Sequence, residues 1–289
     1  MIPGLIKKII LAGKGDIVLT RNMLKDVQSR RDRRKIHIQK AGIKDLRYPI
    51  SVLDRENKVQ HTVAKVCMYV DLPHHFKGTH MSRFVEILNE SHGNISLRNI
   101  ETILQTITRR FDSTTANLEI RFAYFIEKHA PISGAKSLMN YDCAFLAQYS
   151  RRRRQPKFDL ILEIKVPVST LCPCSKEISK HNAHNQRAIL TIQIRSHELV
   201  WIEDLIALAE SEASSSLYSL LKREDEKYIT ERAYRRPRFA EDISRAVAKK
   251  LKKDRRIDWF KVESESMESI HNHNAYAMVT SGFINPEPA

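Results

Sequence analysis

Glycine is scarce in this sequence, which contains 8 glycines among 289 residues. Collagen-like chains need glycine at about every third position, and low-complexity chains are rich in glycine and proline, so both classes are excluded. Aromatic residues make up 7% of the chain, whereas hydrophobic residues make up 42%. That hydrophobic content excludes a wholly disordered protein and is enough for the cores of one large or two modest domains.

Long hydrophobic runs are also absent. No segment approaches the roughly 18 consecutive apolar residues that a helix needs to cross a membrane. Near the start, the apolar residues 9–12 are too few for the hydrophobic segment of a signal peptide. We therefore expect a soluble, cytoplasmic protein that has no membrane partner.

Cysteine is rare as well, and the four cysteines do not form a disulfide framework. Cys67 and Cys143 stand alone in apolar, strand-like segments, where we expect them to be small buried side chains. Cys172 and Cys174 lie close together in the sequence. In a reducing compartment, such a pair favours metal or thiolate chemistry.

Negative charge is in deficit, because 49 basic residues face 34 acidic ones and the formal net charge is +15. A nucleic acid, a polyphosphate ligand and a merely basic surface all fit this excess, and net charge alone favours the last. No zinc-finger, recognition-helix or RNA-stacking signature accompanies the charge, so we expect no nucleic-acid partner. The densest basic run, residues 151–154, precedes a proline and is typical of a solvated linker between domains.

The hydrophobic pattern predicts strands and helices in a similar order twice. Residues 1–25 show no clear period, and residues 26–49 are polar and arm-like. The predicted elements are a strand over 60–72, helices over 82–89 and 95–111, strands over 114–128, 138–149, 158–168 and 188–195, helices over 201–221 and 239–251, and strands over 258–265 and 275–283. An ordinary α+β protein without internal symmetry fits the same pattern, because no residue-level repeat is visible.

The common signatures of phosphate-binding loops, dinucleotide-binding loops and serine hydrolases are missing. The connection between two predicted strands instead carries Cys172, Cys174 and His184. Thiolate and imidazole both bind Zn²⁺ and similar ions, but the second close ligand pair of a structural zinc site is absent. The absence of a second pair favours a catalytic metal site whose other ligands come from distant parts of the chain. The candidates are the acidic run 224–226 and the histidines at 271 and 273, each of which also fits a solvated polar residue.

Several separated motifs resemble the prokaryotic GTP cyclohydrolases of type IB. They occur in the right order from about residue 26 to residue 283. The motifs are DVQSRRD (26–32), GTHMSRF (78–84), LCPCSKEIS (171–179), NAHNQR (182–187), DEKYITERAY (225–234), FAED (239–242) and ESIHNHNAYA (268–277).

The resemblance implies an α+β fold made of tandem tunnelling-fold units, in which antiparallel sheets carry helix pairs on one face. It divides the chain into an extension (1–25), a first unit with an N-terminal arm (26–155) and a second unit (156–289). It also implies a homotetramer with active sites at the subunit interfaces. The implied reaction converts GTP and water into 7,8-dihydroneopterin triphosphate and formate, the first step of tetrahydrofolate synthesis.

The resemblance further implies one divalent metal per site, Zn²⁺ or Mn²⁺, which activates the water that attacks guanine C8. The implied ligands are Cys172, His184, Glu226 and His271. Cys172, His184 and Cys174 are the implied catalytic residues, with His184 also a candidate proton carrier. The implied guanine-binding residue is Glu241. The candidates for binding the triphosphate are basic residues that flank the motifs, namely Lys176, Arg187, Lys227 and Arg232.

Three alternatives stay open on the sequence. A cyclohydrolase of the same fold can stop at a cyclic phosphate, and a nitrile reductase of this fold uses a cysteine nucleophile with a nicotinamide cofactor. A basic, metal-containing protein that binds nucleic acid without turnover has only the net charge in its favour.

Overall fold

The computed structural model describes residues 26–28, 30–90, 97, 99–151 and 156–282. The elements, in chain order, are β1 (Ile38–Asp54), β2 (Lys58–Leu72), α1 (Ser82–Glu90), α2 (Ile100–Arg110), β3 (Thr115–His129), β4 (Lys136–Ser150), β5 (Lys157–Leu171), α3 (Pro173–Ile178), β6 (Asn185–Ser196), α4 (Ile202–Glu212), β7 (Ser215–Ser216), α5 (Arg223–Arg235), α6 (Ala240–Leu251), β8 (Ile257–Ser266) and β9 (Ala275–Thr280).

The described strands form a single antiparallel sheet with the order β1-β2-β3-β4-β5-β6-β8-β9, and the short β7 pairs with β5. The two predicted halves of the chain join where β4 pairs with β5, with Ser150 opposite Lys157 and Asp142 opposite Lys165. Hydrogen bonding between strands is therefore continuous across the middle of the chain.

One face of this sheet is covered by the helices and holds the core. Along β6, every second residue is buried against this face, as Leu190 and Ile192 show with no exposed surface. Ile243 and Val247 of α6 are equally buried in the same apolar cluster. Each such side chain stabilises the fold by about 1.5–3 kcal/mol. The predicted α+β fold with an antiparallel sheet and helices on one face is thus confirmed.

The opposite face of the sheet is polar, as expected for an antiparallel sheet with one open face. Glu163 on β5 receives hydrogen bonds from Arg121 (3.1 Å) and Gln193 (2.5 Å). Arg121 and Glu163 lie on either side of Ala144, whose small side chain leaves room for their contact. Charged and polar groups on β3, β5 and β6 therefore form a row on the face away from the helices.

The predicted polar arm over residues 26–49 is wrong from Ile38 onwards, because β1 begins there. β1 is an edge strand, and most of its side chains are exposed or half-exposed. Burial alternates along the strand only from residue 46 to residue 54, where Ile50, Val52 and Asp54 are buried. Residues 38–45 bury no side chain, so this half of the strand has the polar character of an arm.

The helix predicted over 201–221 is too long. α4 ends at Glu212, and the chain then leaves in an extended conformation to pair Ser215 and Ser216 with β5. A further helix, α5, follows at Arg223–Arg235, where none was predicted. It buries only Asp225 and Ala233, so it shows no apolar stripe in the sequence.

Some predictions fall on residues outside the described ranges. The extension 1–25, residues 152–154 of the basic run and residue 155 lie there, so the proposed division of the chain at 155 stays a prediction. Arg151 is described, and its guanidinium donates to the carbonyl oxygens of Thr108 and Ser113. The predicted last strand ends at Thr280, and residue 283 is not described. None of the helices in the described ranges combines the length and hydropathy needed to cross a membrane.

Candidate active site

The cysteine motif begins a short helix. Cys172 follows the last residue of β5 and is the N-cap of α3, which starts at Pro173. The Ser175 N–H donates a hydrogen bond to Cys172 Sγ at 3.4 Å. Proline suits the first helical position because it has no N–H to leave unpaired there. The connection between β5 and β6 therefore holds Cys172 half-buried in a defined position, with Cys174 exposed in the first turn of α3.

Cys172 and His184 are brought together by the backbone. Leu171, at the end of β5, lies opposite Asn185, at the start of β6. One residue beyond this pair, the Cys172 N–H donates to the His184 carbonyl oxygen at 3.2 Å. Two of the predicted metal ligands thus lie side by side at one end of the β5–β6 hairpin.

The His184 side chain is half-buried among polar groups. Its Nδ1 atom lies 2.8 Å from Gln186 Oε1 and 3.3 Å from Ser269 Oγ. Glu268 Oε2 is 4.0 Å from the same nitrogen. The sequence motifs contain Gln186, Glu268 and Ser269, but sequence reasoning assigned no role to them because their partners come from a distant part of the chain.

The segment between β8 and β9 passes next to His184 and carries His271. The Met267 N–H donates to the Arg187 carbonyl oxygen at 2.9 Å, which fixes the start of this segment beside β6. His271 and His273 are exposed, and their rings stack with centroids 5.1 Å apart. The two imidazole rings therefore lie against each other in this segment.

The predicted acidic cluster separates into different environments on α5. Asp225 is completely buried and accepts hydrogen bonds from the N–H groups of Ile132, Ser133 and Lys222 at 2.8–2.9 Å. Its other contact is the Ser133 hydroxyl. Burial raises the pKa of Asp225, but these hydrogen bonds outweigh it and hold the pKa well below its usual value. The next residue, Glu226, is exposed in the first turn of the same helix.

The other end of α5 lies close to the cysteine and histidine motifs. The Tyr234 hydroxyl donates to the Ala183 carbonyl oxygen at 3.1 Å, and Lys176 Nζ donates to the Tyr234 carbonyl oxygen at 2.5 Å. Glu226 precedes Tyr234 by two helical turns, or about 12 Å along the axis. The helix is thus anchored at the site by its C-terminal end, while Glu226 is at the far end.

Glu241 is exposed in the first turn of α6. The segment that leads into this helix is joined to the site, because the Arg238 N–H donates to the Leu171 carbonyl oxygen at 3.0 Å. The Phe239 N–H donates to Asp242 Oδ2 at 3.1 Å and caps the helix. Arg238 is three residues before Glu241, and Leu171 directly precedes Cys172. The contact between Arg238 and Leu171 therefore holds the start of α6 near the cysteine motif.

The four predicted metal ligands fit a divalent ion by their chemistry, since they are one thiolate, two imidazoles and one carboxylate. Their segments meet around His184, as the contacts of Cys172, Ser269 and Ala183 show. Their side chains do not meet: within the described part of the chain, no three His, Cys, Asp or Glu side chains are grouped closely enough to hold an ion. Glu226 and His271 are both exposed in this chain.

The predicted triphosphate residues lie in two places. Arg187 lines a cleft of about 550 Å³ on the polar face of the sheet, together with Lys165. Arg232 lines a groove of about 360 Å³ on α5 with Arg235 and Arg236. Lys227 is exposed on the same helix, and Lys176 lies near its C-terminal end.

Solved structures with a similar fold include the urate oxidase of Bacillus subtilis 168. The sequences are 10% identical, the TM-score is 0.50, and the alignment covers 84% of this chain and 98% of the other. A highly active mutant of the Bacillus sp. TB-90 urate oxidase gives the same identity and TM-score, with coverage of 84% and 99%. At this identity the likeness concerns the fold alone, and it agrees with the predicted tunnelling fold.

The comparisons of sequence are much closer. Residues 24–277 match the family model described as type I GTP cyclohydrolase folE2. The chain is 56% identical over 256 residues to the GTP cyclohydrolase FolE2 of Geotalea uraniireducens, covering 89% of this chain and 93% of that protein. It is 52% identical over 258 residues to the FolE2 of Thermosipho africanus, covering 89% and 98%. The chain therefore belongs to the FolE2 family of type I GTP cyclohydrolases and is a GTP cyclohydrolase.

Proposed function

We propose that this enzyme converts GTP and water into 7,8-dihydroneopterin triphosphate and formate at a divalent metal site formed by Cys172, His184, Glu226 and His271. The observation that carries the metal site is the direct backbone contact between Cys172 and His184, beside the segment that holds His271. A bound divalent ion, Zn²⁺ or Mn²⁺, supplies Lewis acidity that makes water a nucleophile at neutral pH.

The purine is recognised by Glu241. A carboxylate accepts two hydrogen bonds, and guanine offers two neighbouring donors, its N1–H and its 2-amino group. Adenine has no such pair of donors on that edge. Because Glu241 is exposed at the start of α6 and its segment is tied to Leu171, the guanine ring lies near the Cys172 loop.

Water then adds at guanine C8 and opens the imidazole ring, and a second water releases formate. Ribose opening, rearrangement and ring closure with loss of water complete the dihydropterin, so the net reaction consumes one water. These steps require proton transfer close to the ring. We assign the exposed Cys174 thiol, which is two residues from Cys172, to this role.

Four basic residues hold the triphosphate, which carries about four negative charges. They are Lys176, Arg187, Lys227 and Arg232. Arginine is suited to bidentate binding of phosphate oxygens. Lys176 and Arg187 lie close in the chain to Cys172 and His184, and Lys227 and Arg232 lie on α5, whose C-terminal end contacts the same loop.

We further propose a cytoplasmic homotetramer whose active sites lie between subunits. Glu226 and His271 are exposed in the single chain, and no three His, Cys, Asp or Glu side chains are grouped closely enough to hold an ion in its described ranges. Assembly would bury these side chains against a neighbouring copy and close the donor set. The four free thiols are compatible with a reducing compartment.

Substitution of Cys172 tests the metal site. We expect Cys172→Ala to lose most bound metal and all turnover while its sedimentation stays that of the native oligomer, because only a ligand is removed. The matched control is Cys67→Ala, which removes the same atom from a buried position outside the loop and should keep its metal. Full metal content and full activity in Cys172→Ala would contradict the assignment.

A further inference from the structure

Gln186 connects His184 to a small group of buried polar side chains. Its Nε2 atom lies 3.2 Å from Thr170 Oγ1, 3.4 Å from Ser266 Oγ and 3.3 Å from Glu268 Oε1. Thr170 is 1% exposed and Ser266 is 2% exposed. The other end of the amide, Oε1, lies 2.8 Å from His184 Nδ1.

The carboxylate of Glu268 determines which way the Gln186 amide points. An ionised carboxylate can only accept hydrogen bonds, so the amide NH₂ group must face it. The reversed amide would place a carbonyl oxygen against the carboxylate, with no hydrogen between them. The two hydroxyl groups can accept from the same NH₂ group, so they agree with this orientation.

The orientation of the amide in turn determines where the proton lies on His184. The Gln186 carbonyl oxygen can only accept, so His184 Nδ1 must carry the hydrogen that it donates. In a neutral imidazole with a protonated Nδ1, the free lone pair is on Nε2. Ser269 Oγ, 3.3 Å from Nδ1, can donate or accept and does not oppose this tautomer.

We infer that Gln186 and Glu268 are positioning residues, which hold His184 in its Nδ1–H tautomer and leave Nε2 as its one donor atom for a metal. The inference rests on the proposed function, in which His184 is a ligand. While Nε2 binds the metal and Nδ1–H is donated to the amide carbonyl, His184 has no free lone pair, so the inference also removes it from the candidate proton carriers of the metal-bound enzyme. Partners of this kind orient a ligand histidine, and their loss weakens metal affinity by about 10–100-fold.

Metal affinity is the first test. Gln186→Met keeps the length of the side chain but removes both the carbonyl oxygen and the NH₂ group of the amide. The affinity of this variant for Mn²⁺ and for Zn²⁺ is measured by competition with a chromophoric chelator. We expect affinity about 10–100-fold below that of the native enzyme. The matched control is Gln193→Met on the same strand, because Gln193 also donates to a carboxylate, Glu163, but has no contact with His184 among its described hydrogen bonds. Equal affinity in Gln186→Met and the native enzyme would overturn the inference.

The tautomer itself is the second test, and it does not depend on bound metal. Nitrogen NMR of the metal-free enzyme with isotope-labelled histidine should show His184 as the Nδ1–H form, with the signal assigned through His184→Ala. Gln186→Met should move the signal towards the Nε2–H form that free imidazole prefers. Glu268→Gln should move the His184 signal part of the way towards the Nε2–H form, because the new amide can present either its oxygen or its NH₂ group to Gln186. This variant replaces Gln186→Met in the test if Gln186→Met does not fold.

The two possible failures are distinguishable. An Nε2–H tautomer in the native enzyme would contradict the inference directly. If the tautomer is Nδ1–H but His184→Ala binds metal as tightly as the native enzyme, the proposed metal site is wrong.

Discussion

At the scale of single residues, Glu241 is placed by the helix that it begins. The N-terminal end of a helix carries partial positive charge, which stabilises a carboxylate there. An exposed carboxylate in this position is available to a ligand, and guanine is the base that offers it two donors.

We expect Glu241→Gln to impair GTP binding without loss of metal. One amide end can still accept from guanine N1–H, but the NH₂ end opposes the 2-amino group. Loss of a charged hydrogen bond costs about 1.5–3 kcal/mol, so KM for GTP should rise roughly 10–100-fold. The measurement is KM together with bound metal, and the control is Glu86→Gln, an equally conservative change at an exposed position on α1. Loss of metal in Glu241→Gln would place Glu241 among the ligands.

Adjacent residues show how far the sequence could be interpreted. Asp225 and Glu226 are both acidic and both lie in the same motif, yet successive helical residues point about 100° apart. Asp225 is therefore buried under the turn between β3 and β4, whereas Glu226 is exposed. Likewise, Gln186 and Glu268 are far apart in the sequence, and their hydrogen bond depends on how β6 and β8 pair. The motifs identify such residues, but only the fold separates their roles.

At the scale of elements, Asp225 fixes α5 to the turn between β3 and β4. It accepts from two N–H groups and the hydroxyl group of that turn, and from the Lys222 N–H before the helix. The helix that carries Glu226 is thereby attached to the first half of the chain. Movement of α5 would change the position of Glu226 relative to the β5–β6 hairpin that carries Cys172 and His184.

We expect Asp225→Asn to lower thermal stability and also to weaken metal binding. The NH₂ group of the new asparagine would face N–H and O–H donors from which the carboxylate accepts hydrogen bonds. The matched control is Asp54→Asn, since Asp54 is buried and caps the β1–β2 turn through the N–H groups of Glu56 and Asn57. It should lower the melting temperature while metal affinity stays native. If Asp225→Asn lowers stability but leaves metal affinity unchanged, the hydrogen bonds of Asp225 to the β3–β4 turn are not needed to position Glu226 for metal binding.

The β1–β2 turn also predicts a response to acid. Burial raises the pKa of Asp54, but hydrogen bonds from Asn57, Gln60 and Glu56 outweigh it and lower the pKa below its usual value. The unfolded chain therefore takes up the proton first as pH falls. The stabilisation is complete above the usual aspartate pKa of about 4 and is lost as pH falls through the lower folded value. Unfolding measured between neutral and acidic pH should depend less on pH in Asp54→Asn than in the native enzyme; an identical dependence would contradict this account.

The elements that the sequence failed to predict share a physical cause. The first half of β1, at the edge of the sheet, buries no side chain, and α5 is held mainly by polar contacts, so neither segment shows a clear apolar period. α2 and α6 were predicted because each buries a stripe of apolar side chains against the sheet. Hydrophobic periodicity indicates that one face of an element is buried. It does not detect elements that are stabilised mainly by polar contacts.

At the scale of the whole molecule, the described sheet has two open edges, at β1 and β9. Such edges present unpaired backbone groups that readily pair with another chain. Tyr276 and Met278 on β9 are more than half exposed, at 57% and 52%. These features support the proposed assembly of several copies through the sheet.

The repeated order of strands and helices was predictable from hydrophobic pattern, whereas the joining of the two halves was not. The pairing of Ser150 with Lys157 makes one sheet out of both halves, and no sequence signal specifies that register. The four ligands were predicted through their motifs, and their distances from one another depend on packing that a sequence does not reveal.

The most direct test of the account is the reaction itself with controlled metal. The purified enzyme is stripped of metal, Mn²⁺ or Zn²⁺ is added back separately, and GTP is supplied. Formate and the fluorescence of the oxidised pterin are then followed together. We predict that both products appear only after metal is restored, in equal amounts. GTP that stays intact with either metal, or products that form equally well without metal, would contradict the proposed metal-dependent cyclohydrolase.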